Sequence, residues 1–418
     1  MTHVDDSRPT SVVFYFQVHQ PYRLRHFSFF DIGKHTDLNP GELYFDDDEN
    51  ERIVQRVAKK CYLPMTALLQ RLCEEHDGRF RCAFSISGTA LSQFERWSPE
   101  TLKAFQDLAE TGCVEFLAET SHHSLASLES EDEFRAQVRS HTARIEELFG
   151  TRPTSFRNTE LVTSNHIACM AEEEGFATIM AEGADHLLGW RSPHLLYRPE
   201  ETVRISTQLR SYSFSDDIAF RFSNREWAEW PLSAPRFASW LEELPAEDEI
   251  VGLYMDFETF GEHQWADTGI FEFMEKLPEQ ILASGRFEFH TPAQVAAERD
   301  CMARLDIPEP VSWADAERDL TAWLDNPMQR AAHKAVYELR EAATAAADAG
   351  EAHILETWRR LSTSDHFYYM CTKFFSDGDV HKYFSPYATP HDAYIALMNV
   401  LGDFRRRLGL EALPPAPH

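Results

Sequence analysis

A chain of 418 residues that is 43% apolar and 12% aromatic can bury a large core, as one barrel or as two to three domains. Its formal charge of −29 at pH 7 argues against nucleic acid and against an anionic membrane surface as partners, because both attract Lys/Arg-rich faces. No apolar run approaches the roughly 20 residues of a membrane span, the first six residues lack the basic and apolar parts of a leader, and seven cysteines without CxxC spacing support neither a zinc ribbon nor a disulfide framework, so reduced thiols in the cytoplasm are expected.

In chain order, residues 12–18 are dense in β-branched and aromatic side chains and predict a buried strand. A long helix is expected over 51–75. Before it, the acidic run Asp46-Asp47-Asp48-Glu49 reads as a solvated loop, with oxygens that suit Ca²⁺ but without EF-hand spacing. Strands follow at 80–86 and 114–118, separated by a helix over 99–109 with Ser98 as N-cap and Pro99 at its first position. A helix over 131–149 closed by Gly150, a strand at 155–158, a helix over 164–174 closed by Gly175 and a strand at 176–180 continue the alternation. Residues 203–209 and 211–214 are weaker strand patterns, 250–255 is a strong one and 287–289 is the last. This rhythm implies a parallel sheet with helical crossovers, and about seven or eight strands suit a closed barrel better than an open sheet. After about residue 300 the pattern turns helical, over 313–339, 353–375 and 390–408, with an Ala-rich stretch at 342–350 that fits helix plus turn. The expected fold is α/β: an incomplete (β/α)7-type barrel over residues 1–300 and a C-terminal α-helical bundle over 301–418 packed against its mouth.

Two segments carry the chemistry. Phe156-Arg157-Asn158-Thr159-Glu160-Leu161 and the stretch from Tyr254-Met255-Asp256-Phe257-Glu258 to Trp265 each begin with strand character and place a carboxylate where the strand gives way to a loop. In a barrel of parallel strands these ends share one mouth, where catalytic groups gather. Two carboxylates meeting there suggest glycosidic bond chemistry, at about 5–5.5 Å separation if configuration is retained. The acid partner must hold its proton near neutral pH, which burial or a nearby anion achieves. Glu258, two residues beyond Asp256, either supplies that anion or caps the next loop.

Five segments in order resemble the motifs of glycoside hydrolase family 57, over nearly the whole chain. They are Gln17-Val18-His19-Gln20-Pro21; Gly112-Cys113-Val114-Glu115-Phe116 with Glu119 and His122-His123-Ser124; Arg157 to Leu161; Asp256 to Trp265; and Thr363-Ser364-Asp365-His366-Phe367-Tyr368-Tyr369-Met370. The wording is closest to the short α-amylase-type members, since no strands are expected for the C-terminal β domain of the glucanotransferase type. The resemblance implies a retaining enzyme with Glu160 as nucleophile and Asp256 as general acid/base, cleaving α-1,4-glucosidic bonds of starch- or glycogen-like chains through a covalent glycosyl-enzyme. It implies substrate contacts from His19, Gln20, His123, Arg157, Glu258, Trp265, Asp365 and Phe367, and no cofactor or metal. Gln17 departs from the pattern, standing where many members carry a first His. His122 and His123 would face opposite ways on a strand, so at most one enters the site, taken as His123. Trp265 is either a sugar-stacking platform or a packing residue.

The alternatives are 4-α-glucanotransfer or branching on the same scaffold, where a sugar hydroxyl replaces water at the intermediate; a non-catalytic glucan-binding protein, against which both carboxylates stand; and a metal-dependent polysaccharide deacetylase with His19, His122 and His123 as ligands, disfavoured by Gln17 and by the lack of an Asp-Asp pair after the first strand.

Overall fold

The structure, a computed structural model, describes residues 8–35, 37–373 and 385–410. The first six residues, read above as lacking a leader, and residues 374–375, at the end of the helix expected over 353–375, lie outside the described residues. Among the described residues there are ten strands: β1 (Thr10–Val18), β2 (Cys82–Ile86), β3 (Val114–Phe116), β4 (Ser155–Phe156), β5 (Thr178–Glu182), β6 (Tyr197–Pro199), β7 (Ser206–Arg210), β8 (Ile250–Asp256), β9 (Phe287–Phe289) and β10 (Ala303–Leu305).

Parallel pairing runs β3-β2-β1-β8-β7-β5-β4. A parallel bridge between Ala118 and Phe156 then joins the end of β3 to β4 and closes the ring. The result is a seven-stranded parallel barrel, one unit short of a complete (β/α)8 barrel. Two seams are thin. One is that bridge, where Arg157 N–H donates to Ala118 O at 2.9 Å. The other is the single register pair Arg210–Gly252 between β7 and β8. β1 shows how the core is divided. Val13 and Tyr15 point into the barrel with Ala83, Met180 and Tyr254, while Val12, Phe14, Phe16 and Val18 point outward beneath the helices. On the outer side, Phe257 meets Phe84 at 5.0 Å and Phe16 at 5.4 Å between ring centroids, so the start of the loop after β8 is anchored in the core.

Several elements differ from the sequence reading. β6 is an unexpected antiparallel partner of β7, and β10, beyond residue 300, pairs with β6. Both are three-residue strands, too short for a periodic signal. Residues 211–214 are not a strand: Tyr212–Asp216 forms a helical turn, with Ser215 Oγ donating to Ser211 O at 2.8 Å. The helical pattern expected from 313 begins at Thr321–Leu324. The acidic run is not a loop either. Asp46 accepts the Glu49 N–H at 3.0 Å, and Asp47, Asp48 and Glu49 form the first turn of helix Asp47–Val57, where the helix dipole favours anions. That helix continues through a π-helical segment, Ala58–Tyr62, into Leu63–Glu75. Pro64 has no N–H to give to the preceding turn, and the ladder widens just before it.

Helices Pro327–Tyr337, Arg340–Asp348, Ala352–Leu361 and Pro390–Arg407 form a second core with part of the segment after β1, including Tyr22, Phe27, Leu43, Tyr44 and Phe45. Buried Asp403 ties the two parts, accepting Tyr44 O–H and Gly33 N–H, both at 2.6 Å. Thr363 Oγ1 donates to His122 O at 3.0 Å, and Ser364 N–H donates to His123 O at 2.9 Å, which sets the helical region on the barrel mouth. Among the described residues no helix is long and apolar enough to cross a membrane.

Gly252 lies at the thin β7–β8 seam, where an added Cβ would sit 2.3 Å from Leu209 O and 2.8 Å from the Tyr254 ring. Gly252→Ala is therefore expected to destabilise the fold by about 1–3 kcal/mol, read as a lower urea midpoint at unchanged slope. An unchanged midpoint would mean that the seam opens freely.

Candidate active site

The C-terminal ends of the barrel strands converge on a cleft of about 920 Å³, lined by Gln17, His19, His123, Glu160, Arg210 and Asp256 from the barrel and by Trp313, Asp365 and Tyr368 from the rest of the chain. A second cavity, about 450 Å³, lies beside the N-terminal ends of β5 and β7, with Arg204 and Cys301 on its wall. Chemistry in parallel barrels sits at the C-terminal ends, so the larger cleft is the candidate site.

Glu160 follows β4 in a left-handed conformation (φ 56°, ψ 26°), and Leu161 repeats it at φ 53°. Two such non-glycine residues are costly, about 1–2 kcal/mol each. The turn is held by Leu161 N–H donating to Asn158 O at 3.0 Å, by Asn158 Nδ2 donating to Val162 O at 2.9 Å and by Trp313 N–H donating to Glu160 O at 3.3 Å. It aims the carboxylate into the cleft. Oε1 meets His123 Nε2 at 3.1 Å, and Oε2 accepts the Trp313 indole N–H at 2.8 Å.

His123 reaches Glu119 through its other nitrogen, Nδ1, at 3.0 Å. Burial alone would lower its pKa. The hydrogen bonds and charges of Glu119 and Glu160 instead raise it to about 9, so it is an imidazolium at neutral pH. Glu119, fully buried and also accepting Gln17 Nε2 at 3.1 Å, is lowered to about 2 against its own burial by the His123 hydrogen bond and charge. Burial likewise raises Glu160, but His123 and Arg157 outweigh it and hold the carboxyl below its ordinary value.

His19 stacks on His123, with centroids 3.9 Å apart and planes 18° apart. Burial and that neighbouring cation lower its pKa. The neutral ring then fits its partners as one tautomer: Nε2–H donates to Asp365 Oδ2 and Nδ1 accepts from Ser87 Oγ, both at 2.8 Å. Burial would raise Asp365, but His19 and His123 hold it well below the usual carboxylate range.

Asp256 ends β8, in register with Gln17 of β1. Burial, then the negative charge of Glu160, raises its pKa to about 6 against Arg157, His123 and Arg210. The anion that raises it is thus Glu160 and not Glu258. Glu258 accepts Tyr62 O–H at 2.5 Å and is itself raised to about 8 by burial and by Asp256. The π-helical segment presents Tyr62 to this contact, and Gln20 Nε2 donates to Tyr62 Oη at 3.0 Å.

The other expected residues divide. Trp265 is 60% exposed on the cleft wall, so it is not a packing residue. Arg157 is not on the wall. It is fully buried behind Trp313, its guanidinium 4.7 Å from the indole ring, and none of its three nitrogens has a hydrogen-bond acceptor among the described residues. Phe367 also misses the cleft. It packs against His333 at 5.0 Å inside the helical core, while Tyr368 and Tyr369 line the site. His122 turns to Ser121 and Glu356, on a turn beyond β3 and not on a strand. The three histidines offered as deacetylase ligands are therefore each engaged elsewhere, and among the described residues no group of three or more His, Cys, Asp or Glu is arranged to hold a metal ion.

The sequence reading missed Trp313 and a lattice of two cations and two anions. Arg210 bonds Glu182 at 3.2 Å and Asp216 at 2.5 Å, and Arg318 approaches the same pair at 3.6 and 3.4 Å. Glu182 ends β5 as Asp256 ends β8. Carrying the strand at 176–180 two residues further would have marked it by the same strand-end rule.

The His123 charge has a measurable consequence. The fold binds this proton more tightly than the unfolded chain, so the resulting stability is full below about pH 6.5 and is lost as pH climbs through about 9. Glu119 contributes above about pH 4.5 and loses its share as pH falls toward about 2. The melting-temperature gap between the unmodified protein and His123→Gln should be widest between about pH 5 and 6.5 and shrink toward pH 9. A gap constant over that span would contradict a charged His123.

Comparison with known proteins bears on the family and the fold. The sequence model described as Glycosyl hydrolase family 57 matches residues 13–308. A Methanocaldococcus jannaschii protein named as a candidate alpha-amylase is 40% identical over 404 residues, 94% of this chain and 84% of that one. Among solved structures, a branching enzyme from Thermococcus kodakaraensis shares the fold with a TM-score of 0.66 at 14% identity, over 95% of this chain and 90% of that one. An alpha-amylase from Thermotoga maritima does so at 0.59 and 12%, over 96% and 93%. For the 4-alpha-glucanotransferase of Thermococcus litoralis the values are 0.58 and 13%, over 96% of this chain but 58% of that longer one. With the family model spanning more than half of the chain and a relative 40% identical over nearly all of it, the chain belongs to glycosyl hydrolase family 57.

Proposed function

We propose that the protein is a retaining α-glucan hydrolase of the α-amylase type, with Glu160 as nucleophile and Asp256 as general acid/base. One observation carries the reading: two carboxylates on β4 and β8 of one mouth have environments that push them apart, Glu160 downward and Asp256 up to about 6. Near pH 5–6 one is an anion and the other still holds its proton. Glu160 attacks the anomeric carbon while Asp256 gives its proton to the leaving oxygen. Once Glu160 is esterified its negative charge is gone. The second-largest cause of the raised Asp256 pKa disappears with it, and Asp256 becomes the base that takes a proton from the incoming water. His123 and the Trp313 N–H steady Glu160 before attack and as it leaves again.

In this reading residues 1–300 form the catalytic barrel, and residues 301–418 complete the cleft through Trp313 and Asp365. The substrate is a neutral, hydroxyl-rich chain of the starch or glycogen kind, a reading supported by the amylase name of the M. jannaschii relative. Free cysteines at all seven positions support a reducing, cytoplasmic location. The same glycosyl-enzyme would serve 4-α-glucanotransfer or branching if a sugar hydroxyl displaced water. A time course with maltoheptaose separates the outcomes: only shorter products for hydrolysis, longer or branched ones for transfer.

Glu160→Gln should fold normally and lose at least about a thousandfold in turnover. Asp256→Asn should still form the glycosyl-enzyme from an activated aryl α-glucoside, accumulate it, and regain turnover with added azide. Azide rescue of Glu258→Gln instead would move the acid/base role by two residues.

The pH profile gives a separate check. Activity needs ionised Glu160 and protonated Asp256, so kcat/KM should fall as pH rises through about 6. Arg157 lowers both carboxyls, so Arg157→Met should move both limbs of the profile upward. Opposite movements would refute its electrostatic role.

A further inference from the structure

Beyond the reacting carboxylates the cleft runs on between helix Asp47–Val57 and the loop that follows β8. One side of this extension is aromatic. Phe220 and Trp265, 59% and 60% exposed, both line it. They ride on two segments fixed to each other, because Gln264 Nε2 donates to Ala219 O at 2.8 Å, tying the residue before one ring to the residue before the other. The Trp265 loop is itself pinned at Gly261 (φ 104°). Its backbone lies so close to the π-helical segment that a Cβ would stand 2.0 Å from Lys60 O. The segments that carry the two rings are therefore held in place relative to each other and to the helix.

The helix wall that adjoins it is polar. Arg52 and Arg56, one helical turn apart, pair with Glu49 at 2.6 Å and with Glu262 at 2.7 Å, and Lys60 Nζ sits 6.0 Å from the Trp265 ring centroid. Glu262 serves both Arg56 and Lys60, so three cations meet two carboxylates and the wall offers donors and acceptors with only a small net charge. A cleft wall that joins exposed aromatic faces to paired hydrogen-bonding groups fits a pyranose, which has an apolar C–H face and a rim of hydroxyls. Phe220 and the helix wall lie outside all five motifs; Trp265 closes the fourth, and the resemblance assigns it to substrate without a partner ring or a chain-length role.

We propose that Phe220 and Trp265 form an aromatic lip that holds a glucose unit of the α-glucan away from the scissile bond, against the Arg52–Arg56 wall, and so makes the enzyme favour long chains. This rests on the α-glucan reading above. The lip adds binding only when the chain is long enough to reach it.

The test uses the full-length protein with Phe220→Ala, Trp265→Ala and the double substitution. The ratio of kcat/KM for maltoheptaose over maltotriose should fall about tenfold for each single change, the size expected for one partly covered aromatic contact. The loss should appear in KM, with an unchanged melting temperature. An unchanged ratio, or an equal loss at both lengths, overturns the lip. Calorimetric titration of both sugars into Glu160→Gln, with and without Phe220→Ala, separates this from failure of the catalytic reading. If no glucan is cleaved but maltoheptaose binds more tightly than maltotriose and Phe220→Ala erases the difference, the lip stands and the hydrolase assignment falls. If neither sugar binds, the lip falls too.

Discussion

A buried cation costs several kcal/mol unless its hydrogen bonds and charge are both met. His123 meets that condition by placing each ring N–H on a carboxylate, Glu119 behind it and Glu160 in front. Much of the mouth follows from this one charge. Glu160 stays ionised because of it. His19, stacked on the same ring, is kept neutral by its burial and then by that cation 3.9 Å away, and its one N–H, on Nε2, donates to Asp365. That hydrogen bond joins the barrel to the helical region across 346 residues of sequence. A neutral substitute at position 123 would therefore disturb the carboxylate, the second histidine and the contact between the two parts of the chain together.

The two carboxylates assigned to the reaction sit beside the two weakest places in the barrel. Glu160 follows β4, which meets the preceding strand through one bridge, and Asp256 ends β8, which meets β7 through one register pair. Sparse pairing lets the chain leave the regular ladder early. At β4 it does so after two residues and enters the left-handed turn that carries Glu160. Trp313 closes this region from outside the barrel, donating its backbone N–H to the strained turn and its indole N–H to the side chain. One residue thus supports both the backbone conformation and the ionisation of the nucleophile.

The alternation of strand and helix, and the carboxylates at the ends of β4 and β8, were legible because both are local patterns. The failures have physical causes of their own. Asp46 to Glu49 was read by charge alone, although acids just before a helix are what its first turn attracts. Phe367 was grouped with Asp365 because both lie in the fifth motif. In helix Asp365–Tyr368, two residues amount to roughly 200° of rotation, so Asp365 faces the mouth and Phe367 the core, while Tyr368 and Tyr369 return to the Asp365 face. Trp313 and the Arg210–Glu182–Asp216–Arg318 lattice depend on contacts spanning up to 153 residues, for which no spacing rule exists.

The chain carries −29 formal charges, and the field of its exterior is at the mercy of dissolved ions. Arg157 is not. Sealed behind Trp313, its guanidinium is out of reach of a mobile counterion, and its attraction for Glu160 and Asp256 passes through protein and not through electrolyte. Ionic strength will therefore reshape how this molecule meets other macromolecules far more than it alters the proton balance between the two carboxylates. The interior is electrically insulated from the acidic shell around it.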